Sequence, residues 1–154
     1  MSSHRLSTPD FLSVVRLAPL VSLDIVVLNP RGEVLLGLRT NRPAEGFWFV
    51  PGGRIQKDER LDHAFRRLTS EELGHPCGLI DAAPLGVYEH LYEDNFAGVP
   101  DITTHYVVIA HRLALDLDLA ALPGAQHARW KWLSPDALRA DTTVHPNTRA
   151  YFPR

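Results

Sequence analysis

Cysteine and excess charge are what this chain has least of. Its 154 residues include one cysteine, Cys77. That excludes an internal disulfide and any zinc site built from several thiolates. A reducing, cytoplasmic setting is expected. The formal net charge is −2, from 16 Lys and Arg against 18 Asp and Glu, so a nucleic-acid partner held by bulk charge is not expected. Long apolar runs are also missing. The stretch from Leu17 to Leu28 is interrupted by Pro19, Ser22 and Asp24, short of the about 20 residues that cross a bilayer. No membrane partner is expected, and Met1 to Asp10 holds no apolar core of the signal-peptide type. What is present is an ordinary globular composition, 45% apolar and 22% charged. Its length suits one domain over residues 1–154 with a true core. Histidine is well represented, with 8 residues, and this is the side chain that titrates near neutrality.

Thr8-Pro9-Asp10 predicts a helix start with Thr8 as its cap, and a helix to about Arg16. Val21 to Leu28 reads as a mostly buried strand. A turn at Asn29-Pro-Arg-Gly32 sends Glu33 to Leu38 back as a hairpin partner. Phe47 to Val50 is a short aromatic strand ending at Pro51-Gly-Gly53, and Arg54 to Glu59 reads as a polar loop. A helix follows from about Arg60 to Leu73, stopped by Gly74 and Pro76. Leu85 to Tyr92, His105 to Leu115 and Trp130 to Leu133 are further strands, and Ser134-Pro-Asp136 opens a short helix. Glu93 to Thr104 is a loop rich in Asp, Asn and Gly, and the C-terminal residues carry no clear pattern. Strands with interspersed helices predict an α+β sandwich rather than a doubly wound sheet.

The helix after the glycine pair carries the strongest chemical signal. Leu61, Ala64, Phe65 and Leu68 form an apolar stripe at helical spacing. Glu72, four residues after Leu68, falls on the same stripe. A carboxylate there points toward the packed side and needs a partner, such as a cation or a metal. Glu71, on the margin, is either a ligand or a solvated helix-end charge. Arg67 lies further round and can brace the loop through Glu59. The glycine pair is either a plain turn or a place where a phosphate or metal approaches the backbone closely.

Gly53, Glu59, Arg67, Glu71, Glu72 and Gly74 keep the spacing of the Nudix signature, Gly-x5-Glu-x7-Arg-Glu-apolar-x-Glu-Glu-x-Gly-apolar. The chain departs from it at Leu68, Thr69 and His75. This pattern resembles one subfamily, the GDP-mannose mannosyl hydrolases. The likeness extends to Pro19-Leu-Val-Ser-Leu-Asp24, Arg39-Thr-Asn-Arg-Pro-Ala44, Trp48-Phe-Val-Pro-Gly-Gly-Arg54, Gln56-Lys-Asp-Glu59, Arg67-Leu-Thr69, Asp94-Asn-Phe96, Thr103-Thr-His-Tyr-Val-Val108 and Arg149-Ala-Tyr-Phe152. The resemblance implies a Nudix α/β/α sandwich with a mixed sheet, a homodimer and a Mg²⁺-dependent enzyme. It implies a nucleotide-sugar substrate, GDP-mannose and to some degree GDP-glucose, hydrolysed to GDP and free sugar. Relatives usually carry Ala where this chain has Glu71.

The implied chemistry is that of an inverting glycosidase, with water attacking the anomeric carbon. GDP leaves as a stable anion, so neutralising its charge matters more than protonating it, and one Mg²⁺ acting as a Lewis acid can supply that. Fewer carboxylates are then needed, which gives Leu68 a rationale. By resemblance the Mg²⁺ ligands are the Gly52 carbonyl, Glu72 and the Gln126 side-chain oxygen. All are oxygen donors suited to a hard ion. His127 matches the general base, and an imidazole with a pKa near neutrality suits that task. Without the resemblance His127 is an ordinary loop histidine. Arg39 and Arg54 match residues that bind the diphosphate, which forked guanidinium donors fit. Asp24 orients an arginine such as Arg39, contacts the sugar, or faces outward from the sheet. Tyr106 donates to a diphosphate oxygen or packs on the sheet. His90 faces the sugar. Phe11 packs, stacks on a base or serves a dimer, and Cys77 is inert. Two rival readings remain: a pyrophosphohydrolase that breaks P–O, for which Glu71 speaks, and a non-catalytic nucleotide binder.

Overall fold

The computed structural model describes residues 5–124 and 127–154, the side chains of 127 and 128 excepted. Its spine is β1 (Leu20–Leu28), which runs parallel to β6 (Thr104–Ala114) from Leu20↔Tyr106 to Leu28↔Ala114. Covered on both faces, β1 reads as a near-continuous apolar run, as buried parallel strands do. The other pairings are antiparallel: β1 with β2 (Val34–Arg39) and with β4 (Gly52–Arg54), β2 with β3 (Trp48–Phe49) and with β7 (His127–Leu133), and β6 with β5 (Ala83–Tyr92). The result is a seven-stranded mixed sheet in the order β3-β2-β1-β6-β5, with β4 and β7 attached at its sides.

Strand alternation sorts β1 into two faces. Leu23, Ile25 and Val27 pack with Ala64, Phe65, Leu68 and Leu73 of α2 (Leu61–Leu73). Val26 joins Leu36, Val50 and Ala110 on the other face, under Leu138, Val144 and Tyr151. Leu138 belongs to α3 (Pro135–Ala140), and Tyr151 follows α4 (Pro146–Arg149). Helical layers on both sides of a mixed sheet give the α+β sandwich that was expected. Asp24 has the parity of Val26, so it is on the α4 side rather than the α2 side.

Several local expectations are corrected. The cap of α1 (Thr8–Leu17) is Ser7, not Thr8: the Ser7 hydroxyl accepts from Asp10 N at 3.2 Å. The supposed polar loop begins as strand β4, held by Ile25 N donating to Pro51 O and Ile55 N donating to Val21 O, both at 2.9 Å. Leu61, placed on the buried stripe, is 43% exposed, and the buried face of α2 begins at Ala64. The patternless C-terminus is α4, started by Pro146 after the His145 cap. The loop after β5 is ordered by buried Asn95, whose amide donates to Val99 O and Ile102 O at 2.8 Å. Among the described residues no helix is long and apolar enough to cross a membrane.

Candidate active site

Asp24, Arg39, Gly52, Arg54, His90 and Tyr106 line one cavity of about 190 Å³. Cross-strand register is what gathers them. Asp24 sits opposite Gly52 on one side and Ala110 on the other, and His90 sits opposite Tyr106. Ser22, Asn41, Phe49, Val50, Gly53 and Tyr92 complete the lining. Sequence reasoning missed Asn41, Phe49 and Tyr92. Tyr92 was within reach, because Tyr88, His90 and Tyr92 alternate along β5 and share a face.

Asp24 faces this cavity, so the reading of it as an outward sheet residue is overturned. The Tyr151 hydroxyl donates to Asp24 Oδ2 at 2.5 Å. Burial pushes the Asp24 carboxyl up to about 7, although the Tyr151 hydrogen bond and the Arg39 charge act the other way. Burial and the nearby Asp24 hold the Tyr151 phenol far above its ordinary value, so it stays a donor. His90 is 6% exposed, and its Nε2 has no partner among the described residues. Burial, with His145 nearby, pulls His90 down to about 4. It is therefore a neutral imidazole with one nitrogen to offer. His145 stacks on Phe49 at 4.6 Å, and Asn147 donates to Tyr92 Oη at 3.2 Å.

The cationic half of the cavity is Arg39 and Arg54. Arg54 lies over the Phe11 ring, 4.2 Å from its centroid, and Phe11 in turn meets Phe96 at 4.6 Å. Burial lowers the Arg54 pKa without threatening its charge. Arg39 Nε donates to Asn41 O at 3.5 Å. Tyr106 is pushed up by burial against the pull of both arginines, so its hydroxyl is a neutral donor among cations.

The expected metal ligands can be tested against the backbone. The two ladder bonds of β4 make Leu23↔Gly53 the hydrogen-bonded pair and Asp24↔Gly52 the open one. The Gly52 and Arg54 carbonyls thus point away from β1. The Arg54 carbonyl accepts from Arg67 Nη2 at 2.9 Å, and the Gly52 carbonyl faces the same edge two residues earlier. Glu72, 4% exposed, lies one turn beyond Leu68 on the face of α2 that packs beneath β4. A carbonyl and one buried carboxylate suit a hard cation with few acidic ligands. Among the described residues no group of three or more His, Cys, Asp or Glu side chains is placed to hold a metal. Gln126 lies outside the described residues, as does the His127 side chain. The His127 backbone pairs with Arg39, which lines the cavity.

Arg67 does what its spacing suggested and more. It grips Glu59 through Nε–Oε2 at 2.7 Å and Nη2–Oε1 at 2.8 Å. It also donates to Glu71 Oε2 at 3.2 Å. Glu71 is therefore an ion-paired residue at the edge of a neighbouring groove shared with Arg54 and Gln56, not a residue of the main cavity. Cys77 is half-buried, and desolvation raises its thiol pKa, which suits inertness.

The profile of one family, described as the NUDIX domain, matches residues 18–154. A protein of Haloferax volcanii described as low-salt glycan biosynthesis protein Agl8 is 37% identical over 148 residues, covering 96% of this chain and 89% of that one. An RNA pyrophosphohydrolase of Novosphingobium aromaticivorans is 28% identical over 138 residues, covering 84% and 85%. Among solved structures, the MutT protein from Methanosarcina mazei superposes with a TM-score of 0.69 at 21% identity, over 87% of this chain and 91% of that one.

Proposed function

The chain belongs to the Nudix hydrolase family, and from that premise we propose that it hydrolyses a nucleotide sugar, GDP-mannose first and GDP-glucose second. The products are GDP and free sugar, released by attack of water at the anomeric carbon with inversion. One observation carries the reading: a single cavity joins a cationic half, Arg39 and Arg54, to a half offering a carboxyl and a neutral imidazole, Asp24 and His90. The first half suits a diphosphate and the second suits sugar hydroxyls. The glycan-related name of the Haloferax protein supports a substrate of this class.

Arg39 and Arg54 spread forked donors over the diphosphate oxygens, and Tyr106 adds a hydroxyl donor. Together they stabilise the charge that builds on departing GDP. His127 takes the proton from the attacking water. Glu72, the Gly52 carbonyl and Gln126 would hold Mg²⁺, which when bound supplies Lewis-acid neutralisation of the leaving group. Leu68, buried and apolar, offers no further carboxylate. A homodimer in the cytoplasm belongs to the same reading.

Cleavage at phosphorus is the second reading, favoured by Glu71, whose carboxylate lies beside Arg54 and Arg67 in the neighbouring groove. Hydrolysis of GDP-mannose in water labelled with heavy oxygen separates the two. Label in the mannose, with GDP as co-product, is expected. Label in phosphate, with GMP and a sugar phosphate, would overturn the first reading in favour of the second. No turnover of nucleotide sugars with Mg²⁺ would leave a binding protein.

A further inference from the structure

Tyr151 lies behind the wall of the cavity. It is 4% exposed, is not among the lining residues, and meets Tyr88 edge to face at 4.7 Å. Its hydroxyl is the polar group that reaches forward, donating to Asp24 Oδ2. The other carboxyl oxygen, Oδ1, lies close against Gly52: a Cβ on residue 52 would meet it at 2.5 Å. The Asp24 carboxyl is thus held from two sides. Oδ2 is engaged by Tyr151, and Oδ1 lies against Gly52, which lines the cavity with Asp24. His90 Nε2, buried without a partner among the described residues, belongs to the same wall, and the His90 and Tyr151 rings are 6.2 Å apart.

The segment carrying Tyr151 is anchored independently. Trp48 N donates to Thr143 O at 2.9 Å, His145 N to Trp48 O at 3.1 Å, and Val50 N to Thr148 Oγ1 at 3.3 Å. Removing one phenol oxygen leaves those anchors and the ring packing intact. The anchors and the ring packing therefore keep the segment in place without the hydroxyl, whose own contribution is the support of one buried carboxyl.

We propose that Tyr151 is a positioning residue: its hydroxyl fixes the Asp24 carboxyl so that Oδ1 accepts a hydrogen bond from a hydroxyl of the bound sugar. This rests on the nucleotide-sugar reading of the cavity. Tyr151 touches no substrate itself. It sets the angle at which Asp24 meets the sugar, and so the discrimination between nucleotide sugars and the bare nucleoside diphosphate.

The experiment titrates GDP-mannose and GDP by calorimetry, in EDTA to prevent turnover, into the wild-type chain, Tyr151→Phe, Asp24→Ala and the double variant, with melting temperatures recorded. Wild type is expected to bind GDP-mannose more tightly than GDP. Tyr151→Phe should weaken GDP-mannose binding about tenfold, the scale of one hydrogen bond to a charged or strongly polar group. GDP affinity should hardly change, and the melting temperature should fall by only a few degrees, the scale of one lost buried hydrogen bond. In the Asp24→Ala background, where the hydroxyl has no acceptor left at residue 24, the same substitution should have little effect, because the two residues act as one unit. GDP-mannose binding by Tyr151→Phe equal to wild type would overturn the inference alone. So would equal losses for both ligands, or an undiminished loss in the Asp24→Ala background. A wild-type chain that binds GDP-mannose no more tightly than GDP would overturn the functional reading and the inference with it.

Discussion

Leu68 fills the space that a side chain on residue 53 would need: its Cδ2 lies 2.5 Å from where a Cβ of Gly53 would stand. The glycine and the leucine are therefore one device. Helix α2 approaches β4 closely because residue 53 has no side chain and residue 68 is an apolar one, 2% exposed. This contact seats the buried carboxylate of Glu72 one turn further along. Gly53→Ala should cost about 1–3 kcal/mol by overpacking. Leu68→Ala alone costs stability through its cavity, but the pair should cost clearly less than the sum of the two. Denaturant midpoints check this, and strict additivity would show that the residues do not share the contact.

Arg67 ties together Glu59, Glu71 and the Arg54 carbonyl. A lysine keeps the charge but not the fork. Arg67→Lys should lose about 1–2 kcal/mol of stability at neutral pH, the scale of a partly shielded bidentate pair. It should also weaken GDP binding, because β4 and Arg54 lose their brace. A variant with wild-type stability would reduce Arg67 to a surface charge.

The two adjacent glutamates should part company in metal dependence. Glu72→Gln should raise the Mg²⁺ concentration needed for half-maximal activity by at least about tenfold. Glu71→Ala should leave it nearly unchanged, since Glu71 is engaged with Arg67. The reverse order would move the metal to the neighbouring groove and strengthen the case for P–O cleavage.

His90 and His145 are both pulled down to about 4 by burial, with neighbouring positive or imidazole groups adding to the effect. Unfolded histidine takes up a proton near pH 6.5, so between pH 6.5 and 4 the unfolded chain binds protons that the folded chain refuses. Stability should then fall as pH drops through that window. Asp24, raised to about 7, acts in the opposite sense over the same range, so one of the two contributions is offset. His145→Asn keeps a side-chain acceptor for the Asn147 amide of α4 and removes one titration. Its melting temperature should vary less between pH 6.5 and 4 than that of wild type. Parallel curves would mean that His145 is protonated normally in the folded chain.

The cavity was legible to different degrees. Glu72, which lies outside the lining, stands on a helical stripe that short-range spacing reveals, whereas Gly52 as a ligand and Arg54 as a diphosphate contact come from the family resemblance. Asp24 was visible as an acid inside an apolar strand, but its partner was not: Tyr151 is 127 positions away, in a segment that the family likeness marks but that no local pattern links to Asp24. The sequence of β4 reads as a strand end and turn running into a loop at Arg54, because three residues with two glycines carry no alternation. Ser7 rather than Thr8 caps α1 because either hydroxyl suits the local pattern, and backbone geometry at the helix entry chooses.

Residue order alone determined the elements and the chemistry available. Apolar periods of two and about 3.6 place strands and α2, the stripe of α2 marks Glu72 as a carboxylate in need of a partner, and the family resemblance singles out Arg39 and Arg54. Tertiary structure decided which of these groups share a cavity. The parallel pairing of β1 with β6 brings Tyr106 and His90 alongside Asp24. Packing of the segment after α4 on the far face of the sheet brings Tyr151 behind the Asp24 carboxyl. The reason is physical: strand register and the burial of opposite sheet faces are long-range matters, settled by the whole core at once.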